Sequence, residues 1–388
     1  MRLCGLNYCV LNPKILVTGG GTSGHISPAL ALIQELREMS SQAEFLYVGS
    51  QTGLEKALVE AQNIPFVAIS TGKLRRYLSF ENLIDQFRIP VGIGQSLGLM
   101  RRFRPDVVLA TGGYVAVPPV LAAAICKIPI VIHEQTVQIG LANQINARFA
   151  SKIALSWDGA LESLPAKFRA KAWVAGNPVR ASIFGGEKEK AREFYGLSDE
   201  NLPTIYITGG SLGARIINRA VEEVLPQLLE FAQIIHQCGQ QPANDEQDFD
   251  RLTRAASNLA PELKKRYALT RFVKDELKHV FALADLVVSR AGASTVTELC
   301  ALGKPALYVP LVPTGGDEQT KNAQMAEKIG AAQILLQSEI SGESLLQNIR
   351  NLLSDGAKLE AMGRAAQTLA KPDAARDIAR AILNLAAS

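Results

Sequence analysis

Short apolar runs alternate with amphipathic stretches along the whole chain. Residues 14–18, 44–48, 66–69, 106–110 and 129–133 read as buried parallel strands. Between them lie helical patterns such as 27–39 and 54–61. The alternation then restarts. Residues 204–208, 233–237, 286–289 and 306–309 are strand-like, and 214–231, 295–302, 319–328 and 344–353 carry apolar residues at helical spacing. Residues 374–385 make a last amphipathic helix. Strand and helix in alternation predict an α/β fold with parallel sheets covered by helices on both faces. The most apolar stretch, 115–132, contains Pro118, Pro119, Lys127 and Pro129, so it reads as a short helix and a buried strand rather than a membrane span.

Each half opens with the same device. Gly20-Gly21-Thr22-Ser23-Gly24-His25 follows the first strand of one half, and Gly209-Gly210-Ser211-Leu212-Gly213-Ala214 follows the first strand of the other. This predicts two Rossmann-like, doubly wound domains facing a cleft lined by the C-terminal ends of their strands, where open α/β sheets bind ligands. The expected division is 1–177, 178–370 and a C-terminal helix, 371–388, packing back on the first domain. Pro178 disfavours helix at Asn177, and Gly185-Gly186 adds a flexible break.

A glycine-rich turn between strand and helix directs backbone N–H groups and the helix dipole at a phosphate. Neither turn has the G-x-G-x-x-G of dehydrogenases or the Lys-Ser/Thr of a P-loop. The second strand ends Tyr47-Val48-Gly49-Ser50, without the acidic residue that holds an NAD ribose. A third segment, Ser289-Arg290-Ala291-Gly292-Ala293-Ser294-Thr295-Val296-Thr297-Glu298, also joins a strand to a helix. Ser294 and Thr295 suit either a helix cap or phosphate oxygens, and Glu298 suits either a capping box or two ribose hydroxyls. At 388 residues, 47% hydrophobic and 20% charged, the chain can fill two cores and is not disordered. A net charge of +4 is too small to indicate nucleic acid, but it is compatible with an anionic membrane surface or a phosphorylated substrate. The five cysteines are scattered without a C-x-x-C pair, which argues against a disulfide framework or a zinc site.

The two glycine turns, Thr111-Gly112-Gly113-Tyr114, His133-Glu134-Gln135, Gly176-Asn177-Pro178-Val179-Arg180, the 289–298 segment and Asp317-Glu318-Gln319 with Asn322-Ala323 together resemble the MurG family over residues 14–385. The resemblance implies a GT-B glycosyltransferase that moves N-acetylglucosamine (GlcNAc) from UDP-GlcNAc to the 4-hydroxyl of MurNAc in lipid I (undecaprenyl-pyrophosphoryl-MurNAc-pentapeptide). The product is β-linked, with inversion at the sugar. It further implies peripheral attachment to the cytoplasmic face of the inner membrane, no cofactor, and contact with other cell-wall synthesis proteins. By the same resemblance Arg180, Ser211, Val273, Ala293, Ser294, Thr295, Val296, Thr297, Glu298 and Gln319 bind the donor, and Thr22, Ser23 and Gly24 approach the transferred sugar. Gly20 and Gly21, with Gly112, Gly113 and Tyr114, are read as the acceptor pyrophosphate site because they form an anion nest.

Three departures from the family pattern stand out: Thr136 in place of Asn, Ser23 in place of Gly, and a long 312–316 stretch before Glu318, where relatives have His. Inverting transfer needs a base, and His25 and Glu134 are the candidates, histidine being the side chain suited to proton transfer near neutral pH. His236 and His279 read as structural or surface residues. Asp248-Phe249-Asp250 reads as a solvated helix start rather than a metal site, so no metal is expected. Residues 74–105 mix Arg75, Arg76, Arg88, Arg101, Arg102 and Arg104 with Tyr77, Phe80, Phe87 and Phe103, a composition suited to an anionic bilayer. A glycosyltransferase with another lipid acceptor, such as diacylglycerol, and a UDP-sugar epimerase remain as alternatives.

Overall fold

The computed structural model describes residues 12–51, 55–72, 80–197, 201–241, 245, 247–312 and 317–388. The chain forms two compact units, residues 1–180 with 371–388, and residues 181–370.

The first unit runs β1 (Lys14–Thr18), α1 (Ser23–Met39), β2 (Glu44–Ser50), α2 (Glu55–Glu60), β3 (Phe66–Ile69), α3 (Phe80–Phe103), β4 (Val107–Ala110), α4 (Val117–Ile125), β5 (Ile130–Glu134), α5 (Leu141–Asn146), β6 (Lys152–Leu155), α6 (Asp158–Ser163), α7 (Ala166–Arg169) and β7 (Ala172–Val174). The seven strands are parallel in the order β3-β2-β1-β4-β5-β6-β7. Alternate residues of each central strand feed two cores. Leu16 and Val108 face one with Val120 and Ile132, while Ile15 and Val17 face the other with Leu32 and Leu36 of α1.

The second unit runs α8 (Lys188–Tyr195), β8 (Thr204–Thr208), α9 (Arg215–Leu229), β9 (Gln233–Gln237), α10 (Asp248–Ser257), α11 (Pro261–Lys264), β10 (Tyr267–Thr270), α12 (Leu277–Leu283), β11 (Leu286–Ser289), α13 (Ala293–Ala301), β12 (Ala306–Tyr308), α14 (Glu318–Lys328), β13 (Ala332–Ile334), α15 (Gly342–Leu353) and α16 (Gly356–Thr368). Its six strands are parallel in the order β10-β9-β8-β11-β12-β13. The last helix, α17 (Ala374–Ala386), belongs to the first unit, where Ile378, Ala379, Ile382 and Leu383 join the core under α1.

Both sheets follow the doubly wound order, with connections leaving in opposite directions between β1 and β4 and between β8 and β11. The two glycine turns, the 111–114 turn and the 289–298 segment lie at these two switch points, whereas the 176–180 segment follows the edge strand β7. The strands that periodicity left out, β6, β7, β10 and β13, are short and lie toward the sheet edges, and β7 keeps only half-buried side chains. Helix α1 starts at Ser23 rather than 27, because the polar residues after the glycine turn carry no apolar period.

Candidate active site

In the first unit the loops after β1 and β4 interlock at the switch point. Gly20 N–H donates to Gly112 O at 3.3 Å. Gly21 has φ +85°, and a Cβ there would stand 2.7 Å from the Tyr114 ring. Gly113 has φ +77°, and its Cβ would stand 2.0 Å from Gly20 O. A residue with a side chain would force the loops apart. Beneath them, Glu55 Oε1 accepts from Gly21 N–H and from the Ser50 hydroxyl, each at 3.1 Å. Glu55 is fully buried and its Oε2 has no partner among the described residues. One amide of the expected anion nest therefore already faces a carboxylate.

His25 lies in the first turn of α1, half-buried. Its Nδ1 is 2.9 Å from Gln135 Oε1 and 3.1 Å from Thr111 O, while the Thr111 hydroxyl donates to His25 O at 2.8 Å. Two oxygen acceptors at Nδ1 put the proton there and the lone pair on Nε2, which has no hydrogen-bond partner among the described residues. Thr22 is exposed and Gly24 sits beside it; the Ser23 side chain lies outside the described residues.

Glu134 is the other candidate base. It ends β5 with 3% of its surface exposed. Oε1 accepts from Thr136 N–H at 3.1 Å and from the Thr136 hydroxyl at 2.8 Å. Oε2 accepts from Gly140 N–H and Asn143 Nδ2, both at 3.0 Å. Three N–H donors and the Thr136 hydroxyl, whose single proton is shared with Gln138 O at 2.6 Å, surround the carboxylate, an arrangement that braces the turn into α5. Thr136, in the place of the family's Asn, is part of that brace. His133 is buried, and burial pulls its pKa down to about 4, so the ring is neutral at physiological pH.

In the second unit, Gly209–Ala214 joins β8 to α9. Three successive carbonyls are tied back to the protein: Gly210 O accepts from Gln237 Nε2 at 3.2 Å, Ser211 O from Gln240 N–H at 3.1 Å, and Leu212 O from Gln241 Nε2 at 3.3 Å. The dipole ends that would repel a phosphate are thus turned away, and Ser211 is exposed. Val273 follows β10, and its N–H donates to Gln237 Oε1 at 3.0 Å.

Helix α13 begins at Ala293 with Gly292 as N-cap and no side-chain cap bond. This corrects the capping readings: Ser294 lies inside the first turn, and its Oγ is buried without a partner among the described residues. Thr295 is half-buried beside it. Val296 is in the core, and Thr297 Oγ1 donates to Ala293 O at 2.8 Å. Glu298 is half-buried one turn on, and it adds to the burial that chiefly disfavours ionisation of the Tyr206 hydroxyl. Gln319, in the first turn of α14, accepts Leu311 N–H through Oε1 at 3.0 Å, and residues 313–316 lie outside the described chain. Arg180 is the last residue before the second unit.

Asp248 is not solvated as expected. It is buried at the start of α10 and accepts from Asn218 Nδ2 at 2.7 Å. His236 is buried in the same network, with Nε2 3.0 Å from Asn218 Oδ1, and burial lowers its pKa to about 3. His279 Nδ1 accepts Glu187 N–H at 2.9 Å.

The structure adds residues the sequence reading had not assigned. Arg290 donates to Val309 O at 2.9 Å and Pro310 O at 3.2 Å, and although burial lowers its pKa to about 10 it stays charged. Asn322 is buried with Nδ2 on Ala291 O at 3.2 Å and Oδ1 unpartnered. Arg290, Gln135 and Asn322 lie within motifs already noticed. Glu55 gave no signal, since Gly21 is 34 residues away along the chain.

Residues 15–155 match the glycosyltransferase family 28 N-terminal domain, and residues 204–378 match the family 28 C-terminal domain. A Treponema denticola protein named UDP-N-acetylglucosamine–N-acetylmuramyl-(pentapeptide) pyrophosphoryl-undecaprenol N-acetylglucosamine transferase is 36% identical over 92% of this chain and 93% of its own length. A Listeria monocytogenes protein of the same name is 37% identical over 96% and 99%. The crystal structure of Acinetobacter baumannii MurG superposes with a TM-score of 0.71 at 30% identity, covering 96% of this chain and 99% of that one. A UDP-GlcNAc 2-epimerase from Neisseria meningitidis reaches a TM-score of 0.67 at 13% identity, a likeness of fold alone. With both domains matched in order and relatives of one name aligned over nearly the full length, the chain belongs to the MurG family of N-acetylglucosaminyltransferases, within glycosyltransferase family 28.

Proposed function

We propose that this enzyme moves GlcNAc from UDP-GlcNAc to the 4-hydroxyl of MurNAc in lipid I, with inversion, giving lipid II and UDP for peptidoglycan synthesis. The observation that carries this reading is the similarity, over nearly the whole chain, to relatives named for that transfer. In this reading the second unit holds the donor. Ser211 and the amides of its loop, the first turn of α13 with the unpaired Ser294 hydroxyl, and Arg180 receive the diphosphate. Glu298 accepts the ribose hydroxyls, Val273 meets the uracil through its backbone, and Gln319 with Asn322 meets the sugar. The first unit takes the acceptor at the 20–21 and 112–114 loops.

His25 is the base. Its Nε2 lone pair takes the proton of the attacking hydroxyl while the new O–C1 bond forms and the C1–O bond to UDP breaks, UDP leaving with the electron pair. The developing diphosphate charge is met by helix dipole, backbone amides and arginine, so no metal is invoked. Glu134 acts at one remove, by bracing the turn beside Gln135.

Attachment to the cytoplasmic face of the membrane is part of the proposal. Helix α4 packs against α3 and α5. On these helices and the turns that follow α4 and α5, Val91, Ile125, Leu141 and Phe149 are exposed, as are Arg88, Arg101, Arg102, Lys127 and Arg148. Such a surface suits an anionic bilayer. Arg75, Arg76 and Tyr77 lie outside the described residues, as do the side chains of Phe80 and Phe87. Among the described residues no helix is long and apolar enough to cross a membrane.

The test is transfer of radiolabelled GlcNAc from UDP-GlcNAc to a soluble lipid I analogue with EDTA present. The expected result is labelled disaccharide product with equimolar UDP. Conversion of the donor to its C2 epimer, or transfer only to diacylglycerol, would overturn the reading.

A further inference from the structure

We propose that Gln135 and His133 are positioning residues that act with the Thr111 carbonyl to set the tautomer of His25, the backbone carbonyls of Gly176 and Thr111 being the fixed points. This rests on reading His25 as the base, and it explains how a ring with two chemically similar nitrogens presents the correct one.

Gly176 O can only accept, so His133 Nε2, 3.2 Å away, carries a proton. Ser156 Oγ, also 3.2 Å from that nitrogen, sends its own proton to Glu134 O at 2.7 Å and is a second acceptor. In a neutral ring Nδ1 is then a bare lone pair. It faces Gln135 Nε2 at 3.1 Å, and the other amide proton goes to Thr111 O at 2.6 Å. Both contacts demand the amide nitrogen on that side, so the amide oxygen points at His25 Nδ1, 2.9 Å away. That nitrogen must donate, and Nε2 is left with its lone pair.

Burial makes the arrangement rigid, since His133 and Gln135 expose 0% and 1% of their surfaces and Trp157 Nε1–H holds Gln135 O at 3.1 Å. A second proton on His133 would set an N–H against the Gln135 amide nitrogen, which Thr111 O holds in place. Desolvation prevents this at neutral pH. The segment from Gly176 to Arg180, noticed in the sequence as a boundary and as the carrier of a donor arginine, thereby gains a second task.

The experiment uses the full-length protein with its four histidines labelled by ¹⁵N, assigned by single His→Gln variants. Two-bond ¹H–¹⁵N spectra at pH 7.5 read each tautomer directly. The expected result is Nδ1–H for His25 and Nε2–H for His133. An Nε2–H form of His25 in the wild type overturns the proposal. In parallel, Gln135→Leu, which removes one of the two acceptors at Nδ1 and keeps Thr111 O, should raise the share of the Nε2–H form of His25. It should also lower kcat by about 100-fold with the KM for UDP-GlcNAc within about twofold. If Gln135→Leu turns over normally while His25→Ala is inactive, the relay fails and the base stands. If His25→Ala is itself active, the base reading fails and this inference with it.

Discussion

Ser294 holds a hydroxyl that is shut from solvent and has no hydrogen-bond partner among the described residues. An orphan of that kind costs about 1–3 kcal/mol in the free protein, which is reason to look for the ligand that completes it. Ser294→Ala should leave the melting temperature unchanged or raised, yet weaken UDP binding by about tenfold in calorimetry. A loss of stability without loss of affinity would mark it as ordinary packing. Glu298→Ala should remove charge-assisted bonds to ribose worth about 1.5–3 kcal/mol, read in the same titration. Unchanged UDP affinity would end the ribose assignment. The two variants probe one helix end from two sides, the diphosphate and the sugar of the nucleoside.

At the scale of elements, each unit carries one buried neutral histidine on a strand, His133 on β5 and His236 on β9. Folding lowers their pKa values from near 6.5 to about 4 and about 3. The unfolded chain binds more protons than the folded one between these values, so stability falls as pH falls from 6.5 toward 4. By pH 5.5 the loss should be about 1 kcal/mol per histidine. Denaturant midpoints measured from pH 7.5 to 5 should follow this slope, and a pH-independent midpoint would contradict the burial assigned to them. The elements themselves were largely legible. Strands such as 14–18 and 204–208 announce themselves as short apolar runs because both faces of the sheet are covered. β7 and β10 lack that signature because they border fewer neighbours. The site was legible where glycine is the only residue that fits, as at Gly21 and Gly113, and where motifs gather polar residues at strand ends. The brace around Glu134, the carboxylate under Gly21 and the burial of Asp248 were not, since each depends on partners brought from elsewhere by the fold.

At the scale of the molecule, two units of the same strand order each present glycine-rich loops at the switch point, and the proposed chemistry divides between them. The lipid acceptor adds a third requirement, a surface that meets the bilayer. Ile125→Glu with Phe149→Glu should reduce sedimentation with phosphatidylglycerol vesicles at least about tenfold while sparing turnover of a soluble acceptor. Retained vesicle binding would assign membrane contact to another surface. The central claim is that the second unit binds the donor while His25 in the first performs the proton transfer. It is tested most directly by measuring, on His25→Ala, both the UDP-GlcNAc dissociation constant and the single-turnover rate of transfer to a lipid I analogue. The account predicts an affinity within about twofold of wild type and a rate lower by about 100-fold or more. A normal rate, or a rate that falls only in step with lost donor affinity, would contradict it.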